Sequence, residues 1–433
     1  MKKPISGFSK LNKSEKIEWL LKNSFSSNDN IESILLQYCN SNEKLQKLHD
    51  EFAENTISNF YLPFAIAPNF LINNKPYTIP MVTEESSVIA AASKSAKFWL
   101  NKGGFKATVL STTKVGQVHI IYKGDFKILK KYFEKIKPKL ISDVSSITAN
   151  MSKRGGGIKS IELLNLNNKI ENYFQIKATF DTQDAMGANF INSCLEQFGK
   201  TFKDNFEETN EIEIIMSILS NYVPECIVKA EVSCEVEKLL DSSIINPIDF
   251  ANKFVRAVKI AEVDKYRAVT HNKGIMNGID SVVIATGNDF RAIESAAHAY
   301  ASRSGNYKSL TKASIEKNIF KFSIEIPLAL GTVGGLTKLH PLANLALELL
   351  DNPNSRDLMK ITAVAGLAQN FAAIKSLITT GIQHGHMKMH LINILNQHKA
   401  SEKEKEKAIE YFKTNMVSHL TVDLFINKLR SNG

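Results

Sequence analysis

Residues 111–218 carry the pattern that most limits what this chain can fold into. The spacing of apolar residues there predicts strand, helix, strand, strand, helix and strand, over residues 117–123, 125–140, 158–166, 172–182, 187–206 and 211–218. This order is typical of the split βαβ, or ferredoxin-like, fold. The sequence therefore predicts a small domain at 111–218 that is inserted into a larger one.

Length and composition define the rest of the chain. A chain of 433 residues is long enough for two to four domains at roughly 100–200 residues each. Apolar residues make up 43% and charged residues 23%, which excludes a disordered or fibrous protein. We predict an α+β fold: a large mixed helical and sheet domain (1–110 and 219–378), the ferredoxin-like insertion (111–218) and a helical C-terminal flap (379–433).

Local signals add three predictions outside the insertion. Asn12 and Glu15 have the spacing of a capping box, which predicts a helix start. Residues 61–80 contain prolines and the pair Asn73-Asn74 between short apolar runs, which indicates strand and turn. Residues 87–100 predict a dense helix that ends before two glycines.

The charge and cysteine content indicate the cell compartment and the kind of partner. Lys and Arg total 54 against 44 Asp and Glu, a net charge of +10 that suits phosphorylated cofactors or nucleic acid. Four cysteines without metal-site spacing predict reduced thiols in a cytoplasmic protein. The most apolar stretch, 326–336, is interrupted by Pro327 and several glycines, so no membrane span is predicted. The first 16 residues are basic but contain no apolar core, so no signal peptide is predicted.

Several common site motifs do not fit this sequence. No GxGxxG follows a predicted strand, and Gly199-Lys200-Thr201 lacks the earlier glycine of a phosphate-binding loop. His386 and His390 could share a helix face, but Met387 stands where a zinc protease needs glutamate. We therefore predict no metal site.

Four short segments combine glycine or small residues with functional side chains. In 80–87, Glu84 and Glu85 precede a helix, where acids also complement the helix dipole. In 184–189, small residues open a helix whose free N–H groups could bind phosphate or form a plain capped turn. Segment 381–387 places a histidine beside glycines that could act as a hinge. Segment 266–291 concentrates polar side chains: Arg267, His271, Lys273, Asn277, Asp280, Asp289 and Arg291.

Taken together, these segments resemble 3-hydroxy-3-methylglutaryl-coenzyme A (HMG-CoA) reductase in its class II, bacterial form. The resemblance covers nearly the whole chain. It rests on ENTISNFYLPFAIAPNF, EESSVIAAAS, DAMGAN, RAVTHNKGIMNGID, ATGND, SAAHAYASRSG, GTVGGLTKLHP, GLAQNF and GHM, in this order. The family reduces HMG-CoA to mevalonate and free CoA with two reduced nicotinamides.

The resemblance implies a catalytic role for several residues. Lys273 matches the cation that stabilises the oxyanion formed by hydride attack, with Asp289 as the nearby carboxylate. Glu85, rather than Glu84, matches the proton shuttle, and Asn277 matches a hydrogen-bonding partner that contacts substrate. His386 matches the residue that protonates the CoA thiolate from the C-terminal flap.

The resemblance also implies binding residues. Arg267 matches the residue that binds the terminal carboxylate of the hydroxymethylglutaryl group, and Ser87 matches a hydroxyl donor to it. Lys10 is a candidate for a CoA phosphate. The small domain is the expected nicotinamide domain, and its candidate cofactor contacts are Asp184, Met186, Gly187, Ala188 and Asn189.

The chain departs from the family pattern at two places. Ser86 replaces a proline in the motif that contains Glu85, which should loosen that turn without changing the chemistry. Thr148 stands where members that prefer NAD carry an aspartate, and Lys153 and Arg154 follow it. Since an aspartate would repel a 2′-phosphate and threonine would not, we expect NADPH to be preferred, with NADH possible.

Three further expectations concern partners and direction. The family's active site forms between subunits, so a homodimer or larger homo-oligomer is implied, without a nucleic-acid or membrane partner. One alternative is the same enzyme run in the catabolic, mevalonate-oxidising direction. A distant alternative is a basic nucleic-acid-binding protein that uses the lysine-rich segment 123–139, where Tyr132 and Phe133 are interleaved.

Overall fold

The computed structural model describes residues 4–25, 30–207, 211–379, 391–412, 415 and 417–431. It divides into two compact units, 1–63 and 64–433. The N-terminal unit is helical, with α1 (Lys13–Ser24), α2 (Ile31–Gln37) and α3 (Glu43–Asp50).

The capping box predicted at the start of α1 is confirmed. The Asn12 side chain accepts a hydrogen bond from the Glu15 N–H, and the Glu15 carboxylate accepts one from the Asn12 N–H. An ion pair of 2.8 Å between Lys13 and Asp50 joins α1 to α3.

The second unit contains the remaining strands and helices. In chain order they are β1 (Phe64–Ile72), β2 (Lys75–Val82), α4 (Val88–Leu100), β3 (Lys106–Val109), β4 (Lys114–Tyr122), α5 (Phe126–Asp143), α6 (Ser145–Ser152), β5 (Gly157–Asn165), β6 (Tyr173–Asp181), α7 (Ala188–Asp204), β7 (Ile212–Ser220), β8 (Ile227–Glu235), α8 (Pro247–Val263), α9 (Lys265–Ala285), α10 (Phe290–Ala301), β9 (Thr311–Glu316), β10 (Ile319–Pro327), α11 (Leu336–Leu339), α12 (Pro341–Leu349), α13 (Ser355–Ile378), α14 (Glu402–Tyr411) and α15 (His419–Ser431).

The larger core lies between helices and an antiparallel sheet of order β3-β8-β10-β9. Buried aromatic side chains fill it, and the rings of Trp99, Phe254, Phe320 and Phe371 contact one another. Helix α9 packs against α13 and strand β2, and α4 packs against α13 and β1. This core fixes α9, which carries the candidate catalytic residue Lys273, and the turn before α4, which carries Glu85.

A second core belongs to the segment predicted as βαββαβ. Strands β4 to β7 form an antiparallel sheet of order β5-β6-β4-β7, and α7 packs on β4 and β7. Phe133 of α5, Phe180 of β6 and Phe198 of α7 lie in its buried cluster. All six predicted elements are confirmed, with ends displaced by a few residues, and the chain as a whole has the predicted mixed α and β structure.

The C-terminal part described by the structure is helical. Residues 391–397, α14 and α15 enclose their own apolar cluster, which includes Leu395, Ala408 and Val422. The predicted hinge and the histidines between 381 and 390 lie outside the described residues.

One helix in the described residues is long and apolar enough to span a membrane by length and composition. It is α13, and 72% of its most apolar window is buried. The sequence analysis placed the most apolar stretch at 326–336 instead. Since α13 packs on α4, α8 and α9, its apolar surface serves the protein core.

Helices α9 and α13 approach each other closely at Gly278 of α9. A Cβ atom on Gly278 would lie 2.6 Å from the Ala365 carbonyl oxygen and 2.8 Å from the Gln369 Cβ. One turn earlier, Gly274 has no atom within 4 Å of the same position. Of these two glycines of α9, only Gly278 is therefore required by packing.

We predict that Gly278→Ala lowers the free energy of unfolding by about 1–3 kcal/mol, because the added methyl group must push α13 away. Gly274→Ala, the matched control, should leave stability unchanged or raise it by up to about 1 kcal/mol, because alanine favours helix. Urea unfolding followed by circular dichroism measures both. Equal effects of the two substitutions would contradict the packing argument.

Candidate active site

Helix α9 presents three polar side chains on one face. Its N-cap Asp264 accepts a hydrogen bond of 2.6 Å from the Arg267 N–H, which fixes the start of the helix. Lys273, Asn277 and Asp280 are then spaced by four and three residues, which places them on one face. Most of the polar segment 266–291 therefore belongs to helix α9, and most of the other residues of this helix are buried.

Two of these side chains meet one carboxylate oxygen. Lys273 Nζ donates to Glu85 Oε2 at 2.6 Å, and Asn277 Nδ2 donates to the same oxygen at 3.3 Å. The side chains of Lys273 and Glu85 are 60% and 38% exposed, so the cluster opens to solvent. A cation, an amide donor and a carboxylate at one point can stabilise an oxyanion and exchange protons with it.

The turn before α4 sets the position of Glu85. The Glu85 N–H donates to Thr83 Oγ1 at 3.2 Å. Ser87 has φ of +76°, a left-handed conformation that is unfavourable for serine, and its side chain makes no capping hydrogen bond to α4. Strained residues of this kind often mark functional sites. Ser86 lies between Glu85 and Ser87, at the position where the resemblance implies a proline.

Asp289 does not take the partner that the resemblance implied. Lys273 pairs with Glu85 instead, while Asp289 Oδ1 accepts hydrogen bonds from the N–H groups of Arg291 at 3.0 Å and Ala292 at 3.2 Å. It is therefore the N-cap of α10, and Arg291 Nε also approaches it at 3.4 Å. Because helix-start N–H groups occupy this carboxylate, its orientation is fixed by the backbone.

A cavity of about 400 Å³ joins Asp289 to the predicted cofactor segment. One wall is formed by residues 185–190, which include Met186, Gly187, Ala188 and Asn189. The rest of the lining is formed by residues 287–289 and by the glycine-rich residues 331 and 333–337. The Thr332 N–H donates to the Asp184 carbonyl oxygen at 2.8 Å, which holds these two parts of the lining together.

The first turn of α7 faces this cavity with free donors. Gly187 is its N-cap, with φ of +93°, and no side chain caps the helix. The first N–H groups of a helix have no partner within it, and the helix dipole favours negative charge at this end. A phosphate group therefore fits here. A Cβ on Gly187 would collide with Thr182, so glycine is required at this position.

A buried lysine that the sequence analysis missed supports the same loop. Lys114, at the start of β4, donates to the Ala185 carbonyl oxygen at 2.7 Å and to the Thr182 hydroxyl. Burial lowers the pKa of Lys114, while the thiol of Cys226 and the carboxylates of Asp181 and Asp184 oppose that shift. A single lysine beside an apolar strand gives no sequence signal that separates it from an ordinary surface charge.

Asp184, a predicted cofactor contact, links its loop to the start of α13 in the described residues. Its carboxylate accepts a hydrogen bond of 2.8 Å from the Ser355 N–H at the start of α13. The Ser355 hydroxyl donates to the Gln183 carbonyl oxygen at 2.9 Å. Asp184 therefore anchors the loop, and the residues after it line the cavity.

Arg267 lies on α9 beside a buried histidine. Burial lowers the pKa of Arg267, and burial followed by the charge of Arg267 lowers the pKa of His271 to about 3. His271 is therefore neutral, and its Nε2 shares a hydrogen bond of 2.5 Å with Thr311 Oγ1. The histidine joins α9 to β9 and has no part in the cluster around Glu85.

Thr148 is not among the residues that line the cavity. Thr148 lies on α6, where its hydroxyl donates to the Ser145 carbonyl oxygen at 3.3 Å. Lys10 is exposed in a short 3-10 turn, Phe8–Lys10, of the N-terminal unit. His386 lies outside the described residues.

The fold and the site are those expected of an enzyme, with groups that can exchange protons and stabilise an oxyanion and with a cavity that a phosphate group fits. Comparisons with known proteins name the family. The profile of the family described as hydroxymethylglutaryl-coenzyme A reductase matches residues 13–391. The chain belongs to this family.

Individual relatives agree with this assignment. The HMG-CoA reductase of Archaeoglobus fulgidus is 34% identical over 416 residues, covering 95% of this chain and 91% of that protein. A probable HMG-CoA reductase of Borreliella burgdorferi is 34% identical and covers 83% of both chains. The solved HMG-CoA reductase of Streptococcus pneumoniae superimposes with a TM-score of 0.73 at 34% identity, covering 98% of this chain and all of that one. A class II structure from the same organism, bound to NADPH in open conformations, matches with a TM-score of 0.72 at 35% identity.

Proposed function

We propose that this protein reduces (S)-3-hydroxy-3-methylglutaryl-CoA to mevalonate and free CoA with two molecules of NADPH, in the mevalonate route to isoprenoids. The observation that carries the proposal is the meeting of Lys273 and Asn277 at Glu85 Oε2, in a chain that belongs to the HMG-CoA reductase family. This arrangement supplies both charge stabilisation and a proton-exchanging group.

Lys273 supplies the charge stabilisation. When the thioester carbonyl is attacked, negative charge develops on its oxygen, and a fixed ammonium group lowers the energy of that state. Its contact with Glu85 orients the ammonium group before substrate arrives. Asn277 supplies a second, uncharged donor at the same point.

Glu85 exchanges the proton. Its carboxyl group contacts the cation that binds the oxygen, so it is placed to give a proton to that oxygen or remove one from it. His386 is the proposed acid for the CoA thiolate, as the resemblance implies. Arg267 and Ser87 are the proposed contacts for the hydroxymethylglutaryl group, since a guanidinium can bind its carboxylate in bidentate fashion.

The cavity beside Asp289 is the proposed cofactor site. Bound NADPH supplies the hydride. Met186, Gly187, Ala188 and Asn189 would hold its diphosphate at the start of α7, while Lys114 and Asp184 keep that loop in place. We assign residues 111–218 as an inserted ferredoxin-like domain for this cofactor, and the sheet order β5-β6-β4-β7 supports that assignment.

Cofactor choice gives a direct test of Thr148. We expect Thr148→Asp to raise the KM for NADPH at least about tenfold and to leave the KM for NADH within about twofold, because a carboxylate repels the 2′-phosphate. Thr148→Asn is the uncharged control and should change both constants little. Initial rates with each cofactor measure the effect. An equal increase in the KM for both cofactors would show that the side chain at position 148 does not distinguish the 2′-phosphate.

We propose that the enzyme acts in the cytoplasm as a homodimer or larger homo-oligomer. Exposed apolar side chains at the two ends of α8 and at the start of α9 support self-association: Ile245, Val263 and Tyr266 are 91%, 85% and 90% exposed. The nucleic-acid alternative is not favoured, because Phe133 is buried and the Tyr132 hydroxyl donates to the Phe202 carbonyl oxygen. These rings are committed to packing rather than to stacking on bases.

Product identification tests the proposed reaction. Purified protein is incubated with HMG-CoA and NADPH, and the quenched mixture is analysed by mass spectrometry for mevalonate and free CoA. Both products should appear together and only with reduced nicotinamide present. The reverse reaction is measured with mevalonate, CoA and NADP. Its rate should be lower than the rate of HMG-CoA reduction if the enzyme is biosynthetic, and higher if its direction is catabolic.

A further inference from the structure

Asn288 lies between the end of helix α9 and Asp289, and its side-chain amide joins two parts of the lining of the proposed cofactor cavity. The Asn288 Oδ1 atom accepts a hydrogen bond of 2.8 Å from the Gly331 N–H. The Asn288 Nδ2 atom donates to the Thr286 hydroxyl at 3.2 Å. Because both ends of the amide are bonded, its orientation is fixed.

Thr286 holds the Asn288 amide at the end of α9. It is the C-cap of this helix and is fully buried, and its hydroxyl donates to the Val282 carbonyl oxygen at 2.9 Å. The Asn288 N–H donates to the Val283 carbonyl oxygen, also at 2.9 Å. The end of α9 therefore fixes both the backbone and the side chain of Asn288.

Gly331 extends this connection to the loop before α7. A Cβ atom on Gly331 would lie 2.5 Å from the Met186 nitrogen, so the two backbones are in contact and glycine is required there. The next residue, Thr332, donates its N–H to the Asp184 carbonyl oxygen at 2.8 Å. Since this loop leads into the first turn of α7, the position of Gly331 sets the width of the cavity at the proposed phosphate site.

We propose that Asn288 is a positioning residue for the cofactor, which holds the glycine-rich segment 331–337 at the distance from α9 that the diphosphate needs. The proposal deepens the proposed function and rests on it for the identity of the ligand. Gly331 is buried, so its N–H without the Asn288 acceptor favours other positions of the segment. Asp289 keeps its place in that case, because N–H groups of α10 hold its carboxylate.

The kinetic test separates the two substrates. Asn288→Ala should raise the KM and the dissociation constant for NADPH at least about tenfold, because the segment must be returned to its place when the cofactor binds. The KM for HMG-CoA should stay within about twofold and kcat within about threefold, since Lys273 and Glu85 hold each other. Asn167→Ala is the matched control and should change none of these constants. Asn167 Oδ1 also accepts a backbone hydrogen bond, from the Asn172 N–H at 2.6 Å, but in the turn between β5 and β6.

Gly331→Ala displaces the same segment by a different route. It keeps the Asn288 acceptor but places a methyl group against the Met186 nitrogen, which must push the segment and the loop apart. It should therefore also raise the KM for NADPH at least about tenfold while the KM for HMG-CoA stays within about twofold. Thermal unfolding followed by circular dichroism should show that both variants are folded at the assay temperature. A KM for NADPH that is unchanged in both variants would overturn the proposal.

Amide hydrogen exchange tests the Asn288 contact without using activity. The Gly331 N–H, observed by NMR in protein that contains isotope-labelled glycine, should exchange at least about tenfold faster in Asn288→Ala than in the unmodified protein. Asn288→Asp keeps an acceptor at the same place and should keep the slow exchange. Equal exchange in Asn288→Ala and the unmodified protein would overturn the proposal whether or not the protein reduces HMG-CoA. Failure of the unmodified protein to bind NADPH would instead overturn the proposed function, and with it the ligand that Asn288 is proposed to position.

Discussion

Lys273→Met should lower kcat about a thousandfold, because one preorganised donor to a developing oxyanion typically contributes a factor of that size. The KM for HMG-CoA should change much less, since the interaction strengthens as the oxyanion forms rather than when substrate binds. The ion pair of Lys273 with Glu85 is largely exposed, so its loss should cost under about 1 kcal/mol of stability. Initial rates at saturating substrate, with thermal unfolding measured in parallel, test both statements.

Lys321→Met is the matched control for Lys273→Met. Lys321 also pairs with a glutamate, Glu316, at 3.1 Å and is comparably exposed, but it lies on β10 of the large sheet. Its replacement should leave kcat unchanged. If the Lys273 variant kept more than about a tenth of the activity, the oxyanion role of Lys273 would be wrong.

Glu85→Gln should lower kcat by about a factor of 10³, because glutamine can keep the hydrogen bonds around position 85 but cannot exchange a proton. Glu84→Gln is an adjacent control that changes the same kind of group. The Glu84 carboxylate lies 3.5 Å from the Thr83 hydroxyl, whereas Glu85 contacts both Lys273 and Asn277. We therefore expect the Glu84 variant to lose less than about tenfold in kcat. A larger loss at Glu84 than at Glu85 would reverse the assignment of the proton shuttle.

Local patterns in the sequence were sufficient to predict the regular elements that depend on local forces. The capping box at Asn12 and the helix after Ser87 are short-range features, and the structure has both. The six elements between 111 and 218 are recognisable because each shows one clear apolar period. Helix α5 passes through Pro138 and continues to Asp143, three residues beyond its predicted end, because its buried residues, which include Leu140, hold the helix against the core.

Helix α9 shows where local patterns fail. Its glycines and its many polar residues both weaken the apolar period of a helix, so the sequence of segment 266–291 does not predict a buried helix. Packing supplies what the local pattern lacks: Gly278 allows α13 to approach, and α13 covers the opposite face. A tertiary contact of this kind has no counterpart in the spacing of nearby residues.

The site was predictable only as far as the resemblance extended. Glu85 and Lys273 are distant in sequence, and no periodicity could place them 2.6 Å apart. The resemblance implied roles for Lys273, Asn277 and Glu85, which the structure brings together, and it gave Asp289 as the carboxylate near Lys273, where the structure places Glu85. Lys114 was not identified as a site residue, because its role depends on burial and on partners from other elements.

The most direct test of the central claim is the number of NADPH molecules oxidised for each HMG-CoA consumed. A limiting amount of HMG-CoA is mixed with excess NADPH and purified protein, and the absorbance change is followed to completion while free thiol is titrated. The account predicts two NADPH oxidised and one CoA thiol released for each HMG-CoA, with the reaction abolished in Lys273→Met. Oxidation of a single NADPH, or release of CoA without NADPH oxidation, would contradict the assignment of this cluster to the reduction of a thioester to an alcohol.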